Sequence, residues 1–132
     1  MNDCIFCQIV KGKIPCYKVY EDKDFLGFLD IEPFNPGHCL IIPKKHIRWV
    51  WEVENAAEYW QVAQNVALST INVLKPYTVL FVTAGFDIAH AHIHVVPRFR
   101  NDGHGGFIKL NNKKKISKKE MQKIADKIGG VF

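Results

Sequence analysis

The chain opens with an apolar cluster at residues 5–10, which predicts a brief helix or turn broken by Gly12 and Pro15. Tyr17 to Tyr20 reads as a first strand. Glu21-Asp22-Lys23-Asp24 is then a polar turn into a second strand, Phe25 to Leu29, ending at Asp30. Beyond the turn formers Pro33-Phe34-Asn35-Pro36-Gly37, His38 to Ile42 predicts a third strand, continuously apolar and therefore central. The longest helix follows. Tyr59, Val62, Ala63, Val66, Thr70, Val73 and Leu74 form one apolar stripe at helical spacing, behind a capping-box start at Asn55 and Glu58 and ahead of Pro76. Tyr77 to Thr83 predicts a fourth strand and the histidine-rich run Ala89 to Pro97 a fifth. Ser117-Lys118-Lys119-Glu120 is a capping box for a last helix with Met121, Ile124, Ala125 and Ile128 inside, stopped by Gly129-Gly130. Hairpin-joined strands with inserted helices predict an α+β fold: a five-stranded antiparallel sheet with one long helix and a C-terminal helix. Residues 1–132 are expected to form a single domain, of which 107–132 is a lysine-rich segment.

Trp60, Ala67 and Ile71 lie off the main stripe of the long helix and give it a second apolar face, which predicts a homodimer. Apolar residues make up 48% of the chain, enough to exclude disorder. No apolar run is long enough for a membrane span, and Met1-Asn2-Asp3-Cys4 does not begin an export signal, so a cytoplasmic protein without membrane contact is expected. The net charge of +5 is local. Residues 107–132 carry eight lysines against Glu120 and Asp126, whereas the remainder carries ten basic and eleven acidic side chains. That pattern reads as a solvated helix face, with no specific nucleic-acid partner.

The chemistry concentrates in Ala89-His90-Ala91-His92-Ile93-His94-Val95-Val96-Pro97. In an extended chain, side chains alternate faces, so His90, His92 and His94 share one face while Ala91, Ile93 and Val95 face a core. A neutral imidazole attacks phosphorus or acyl centres without a strong base, and flanking imidazoles hydrogen-bond the reacting group. The middle ring, His92, is the natural nucleophile. His104, in a Gly-rich loop, is expected to be exposed.

Four cysteines stand in a chain expected to be reduced, so structural disulfides are not expected. Cys16 and Cys39 read as plain buried thiols. Cys4-Ile5-Phe6-Cys7 has the spacing of half a tetrahedral zinc site, with His46 and His90 as candidates for the other half. A redox role for the pair requires a βαβ setting that the first forty residues do not show. Four protein ligands make such a site closed and structural.

His90-Ala91-His92-Ile93-His94-Val95-Val96 resembles the signature of the histidine triad (HIT) family of nucleotide hydrolases and transferases. Cys4 to Cys7, Ile14-Pro15, Tyr20-Glu21-Asp22, Phe28 to Ile31, Pro36-Gly37-His38 and Ile42 to His46 resemble further family segments in family order. The resemblance covers roughly residues 3–100 and is closest to zinc-binding bacterial members. It implies attack by His92 on the α-phosphate of a nucleoside phosphoramidate or related nucleotide conjugate, a nucleotidyl-histidine intermediate, and release of a nucleoside monophosphate. His90 and His94 would support the attack. It implies Asp30 on the ribose of a purine nucleotide, with Ile5, Phe6, Ile9, Phe28 and Ile31 around the base. It also implies structural zinc on Cys4, Cys7, His46 and His90, and a dimer through the long helix and a neighbouring strand.

The loop before the triad departs from the family pattern. It is short, with Thr83 in place of the usual Asn and Asp87 in place of a phosphate-binding hydroxyl. An ionised Asp87 repels a phosphate at close range, or else orients a histidine. This keeps three alternatives open: a dinucleoside polyphosphate hydrolase, a non-catalytic zinc-stabilised nucleotide-binding module, and a metallohydrolase with its metal on the histidine strand.

Overall fold

The computed structural model describes residues 3–132. Met1 and Asn2, part of the stretch read as lacking an export signal, lie outside the described residues. The elements run α1 (Ile5–Val10), β1 (Lys18–Glu21), β2 (Phe25–Leu29), β3 (Cys39–Pro43), a 3₁₀ turn at Val50–Glu52, α2 (Ala56–Leu74), β4 (Thr78–Val82), β5 (Ile93–Arg98) and α3 (Lys118–Gly129). The strands form one sheet in the order β1-β2-β3-β5-β4, every neighbouring pair antiparallel. The α+β architecture and the five antiparallel strands are those expected.

The register gives each sheet face its own role. Opposite residues in a ladder share a face, and faces alternate along a strand. Leu26 pairs with Ile42, Phe28 with Leu40, and Leu40 with His94. One face thus carries Leu26, Phe28, Leu40 and Ile42, which cluster with Phe6 of α1. The other face carries Phe25, Leu29, Cys39, Ile41, Ile93 and Val95, packed with residues of α2 and α3 in the main core. In that core Tyr59 stacks on Phe25 at 5.2 Å and donates its hydroxyl to the Ile41 carbonyl at 2.8 Å, which satisfies the one polar atom of a fully buried ring. The histidine face therefore stays free of the long helices.

Several boundaries differ from expectation for local reasons. Asn55 is the N-cap residue of α2, but its side chain makes no capping bond and instead reaches Asp24 Oδ2 at 3.4 Å. Lys75, in the left-handed region at φ 53°, closes that helix just before Pro76. Ser117 caps α3 as expected, accepting from the Glu120 N–H at 3.1 Å, and Met121, Ile124, Ala125 and Ile128 are its buried residues. Ala67 belongs to the main core, so the second face of α2 is narrower than its composition suggested. Trp60, Leu68 and Ile71 are exposed there, and Trp60 meets the exposed Phe81 of edge strand β4 at 6.3 Å. Among the described residues no helix is long and apolar enough to cross a membrane.

Candidate active site and metal centre

The regular strand β5 begins only at Ile93, so His90 and His92 precede it. Ala89 and His90 lie at a bend, and the next residue is tied down by the Ala91 N–H, which donates to the Ile47 carbonyl at 2.7 Å. Alternation survives: Ala91, Ile93 and Val95 are in the main core, while Phe6 lies edge-on to both His90 and His92, at 5.8 and 5.3 Å. His92 and His94 are 5.0 Å apart between ring centres.

Hydrogen bonds fix the proton on each ring. His92 Nδ1 lies 2.8 Å from the His90 carbonyl. A carbonyl only accepts, so Nδ1 carries the proton and Nε2 keeps its lone pair. Burial lowers the His92 pKa and Arg48 adds to this, while the His90 carbonyl, Asp30 and Asp87 oppose it. The ring is therefore neutral near pH 7.

His38 was assigned no role from the sequence. It is buried, and its Nδ1 accepts the Phe34 N–H at 3.1 Å. Its proton is consequently on Nε2, which lies 2.9 Å from His94 Nδ1. His94 then carries its own proton on Nε2 and presents a donor. Burial, followed by His92 and Lys113, lowers the His94 pKa to about 4. Burial likewise holds His38 well below the ordinary histidine range. The 3.6 Å approach of Asp30 Oδ2 to His38 Nε2 is thus neither an ion pair nor a hydrogen bond. Only the pairing register, which sets His38 diagonally across from His94, reveals this partner.

His104 overturns its expectation of exposure. It is buried, its Nε2 donates to the Phe34 carbonyl at 2.9 Å, and its Nδ1 accepts the Lys109 N–H at 3.1 Å. The cause is Asp102, which binds Arg98 through two bonds of 2.7 and 3.0 Å and takes the Phe99 and His104 N–H groups, turning the Gly-rich loop inward. That loop supports Phe34, which stacks on His38 at 5.3 Å.

The residues expected around a nucleotide split into two groups. Phe6 and Phe28 are buried, 5.6 Å apart, with Ile9 half-buried beside them. Ile5 and Ile31 are exposed, Ile31 at 74%, so they form a rim rather than a wall. Asp30 lies at the end of β2, where its Oδ1 accepts the Glu32 N–H at 2.9 Å and burial raises its pKa. Thr83 and Asp87 are exposed on the loop between β4 and the triad.

Cys4, Cys7, His46 and His90 converge, with one donor atom from each lying within 4.8 Å of the rest. Cys4 is the N-cap of α1, which places Cys7 one turn on. His90 Nδ1 is 3.3 Å from Cys4 Sγ and 3.6 Å from Cys7 Sγ, and His46 Nδ1 is 3.2 Å from Cys7 Sγ. Tetrahedral ligands on zinc stand roughly 3.5 Å apart for one sulfur and one nitrogen, given bonds of about 2.3 and 2.0 Å. The donor set fits. His90 Nε2 donates to the Pro43 carbonyl at 2.8 Å, which leaves Nδ1 as the ligating nitrogen. Cys16 is half-buried and Cys39 buried, and both are free thiols. Asp30, His38 and His94 also cluster, but the proton on His38 Nε2 points at His94, so the two histidines form a hydrogen-bonded pair with Asp30 beside it.

The HIT domain family matches residues 11–101. The chain belongs to this family. A HIT-like protein of Borreliella burgdorferi is 37% identical over 97% of both chains. The protein named adenosine 5'-monophosphoramidase of Schizosaccharomyces pombe is 38% identical, over 72% of this chain and 74% of its own. A crystal structure of a zinc-bound histidine triad protein from Mycobacterium smegmatis superposes with a TM-score of 0.78 at 29% identity, covering 98% of this chain and 92% of that one. The HIT match ends before the loop that carries His104 and before α3.

Proposed function

We propose that this HIT protein is a nucleotidyl hydrolase or transferase that cleaves the α-phosphate of nucleoside phosphoramidates or related conjugates of a purine nucleotide. The observation that carries the reading is the free Nε2 lone pair of His92, fixed by the Nδ1 bond to the His90 carbonyl. In the first step Nε2 attacks phosphorus, the N–P bond forms, and the bond to the leaving group breaks. The leaving atom departs with the bonding pair and takes up a proton. His94, held as an Nε2–H donor by His38, hydrogen-bonds the reacting group. Water then attacks phosphorus, the N–P bond breaks, the lone pair returns to His92, and the water proton is released in place of the one consumed. Asp30 accepts from the ribose hydroxyls, and Phe6, Ile9 and Phe28 form the apolar side of the base site, with Ile5 and Ile31 at its rim.

Cys4, Cys7, His46 and His90 would hold structural zinc, which supplies folding energy and fixes His90 beside the nucleophile. The exposed Trp60, Leu68 and Ile71 of α2, beside edge strand β4, support a homodimer formed there. The test is turnover of adenosine 5'-phosphoramidate by the wild type and by His92→Asn. Turnover by the wild type only, with adenosine monophosphate binding retained in the variant, supports the reading; equal activity in both ends it.

A further inference from the structure

A phosphoryl group under attack by His92 needs positive charge beside its oxygens. The loop before the triad offers an exposed hydroxyl, Thr83, and a carboxylate, Asp87. A carboxylate five residues before His92 adds no positive charge for a phosphoryl group.

Arg48 answers this need. Its Nη1 is buried and has no hydrogen-bond partner, one of two such side-chain atoms among the described residues. A guanidinium is always charged, and a buried N–H of such a group left unpaired calls for an acceptor, which a phosphoryl oxygen can supply. The head is held in place by stacking: Arg48 Cζ sits 3.6 Å from the Trp49 ring centre, and Trp49 stacks on Trp51 at 4.8 Å. Trp49 in turn lies against the triad loop, since a Cβ on Gly85 would meet Trp49 Cζ3 at 3.5 Å. Arg48 directly follows Ile47, whose carbonyl accepts the Ala91 N–H at 2.7 Å, and this bond sets the Arg48 segment beside His92. Among the described residues, no ion pair joins Arg48 to Asp87.

We propose that Arg48 is the phosphoryl-binding cation of this site, donating from Nη1 to a non-bridging oxygen of the α-phosphoryl group under attack by His92. The inference rests on the nucleotidyl-transfer reading. A guanidinium aimed at oxygens that gain charge in the transition state contributes more to turnover than to ground-state binding.

The experiment compares binding of adenosine monophosphate and of adenosine, by calorimetry, to the wild type, Arg48→Ala and Arg48→Lys, together with kcat/KM on adenosine 5'-phosphoramidate. Arg48→Ala is expected to weaken the monophosphate about tenfold, leave adenosine unchanged, and lower kcat/KM roughly 10²- to 10³-fold, the usual effect of losing one oxyanion donor. Arg48→Lys, which keeps the charge and most of the stem, recovers part of each loss. Equal weakening of both ligands would assign Arg48 to packing alone and overturn the inference, as would unchanged constants. Should Arg48→Ala fail to fold, Arg48→Lys decides, because loss of the fork still costs monophosphate affinity selectively. A wild type that binds adenosine and its monophosphate equally and turns over nothing instead defeats the nucleotidyl-transfer reading itself.

Discussion

His38 Nε2 lies 2.9 Å from His94 Nδ1, and this contact determines which nitrogen of His94 carries its proton. The determination originates in the backbone. The Phe34 N–H occupies His38 Nδ1, and every later proton position follows. Replacing His38 with Ala removes the acceptor for that N–H and frees His94 to change tautomer. We expect kcat to fall by about 10²-fold, within the range for a displaced acid–base group, and stability to fall by roughly 1–3 kcal/mol for the orphaned N–H. His38 contacts the Phe34 N–H and His94 rather than the proposed nucleotide-binding residues, so adenosine monophosphate affinity should change little; steady-state kinetics and calorimetry separate the two effects.

The same pair makes stability depend on pH. Both rings have folded pKa values below the unfolded histidine value, to about 4 for His94. A lowered histidine resists protonation in the folded state, so the unfolded chain binds more protons as pH falls below about 6.5, and stability is lost between there and about 4. For His94 alone the loss is on the order of 2–3 kcal/mol at pH 4. Urea melts of the wild type and His94→Gln at pH 7, 5.5 and 4.5 should show a shallower decline in the variant. Parallel declines would mean that His94 does not titrate in this way.

Gly37 holds the approach to His38. Its φ is +89°, and a Cβ there would meet Leu74 Cδ1 at 2.5 Å. Gly37→Ala therefore strains the backbone and pushes on the end of α2. Destabilisation of roughly 1–3 kcal/mol is expected, with a drop in kcat larger than that of an equally destabilised core variant. Thermal melts and kinetics on the two variants side by side provide the check.

Metal removal should act through the fold. Purified protein is expected to contain about one zinc per chain, since one closed four-ligand set is present among the described residues. Chelation or Cys7→Ala should lower Tm, and activity should disappear in step with folded protein as His90 loses its anchor beside His92. Immediate loss of activity at unchanged Tm would point instead to a metal taking part in the chemistry.

The exposed face of α2 predicts a dimer, so sedimentation equilibrium should return twice the 15.2 kDa chain mass. Trp60→Asp places a charge on that face and should give the monomer without loss of helix content.

Most of the architecture was legible because periodicity reports it directly. The four inward residues of α3 and the opposite-facing Ala91, Ile93 and Val95 are where spacing alone puts them. Residues whose partners lie far along the chain were not legible. His104 reads as a loop residue, yet its acceptor is Phe34, seventy positions away. Ala67 reads as part of an outer face, yet it is buried in the main core. His38 and Arg48 carried no local signal, because one acts through strand register and the other through an unpaired nitrogen. The cysteine pair was legible as half a metal site, and only folding brings His46 and His90 to it.

The central claim is that His92 Nε2 becomes bonded to phosphorus. Rapid acid-free quenching during turnover of adenosine 5'-phosphoramidate, followed by peptide mass spectrometry, tests it directly. The account predicts an adenylyl adduct on the peptide bearing His92 that forms and decays at rates consistent with kcat. Full turnover with no adduct, and inversion at phosphorus with a chiral phosphorothioate substrate, would contradict it.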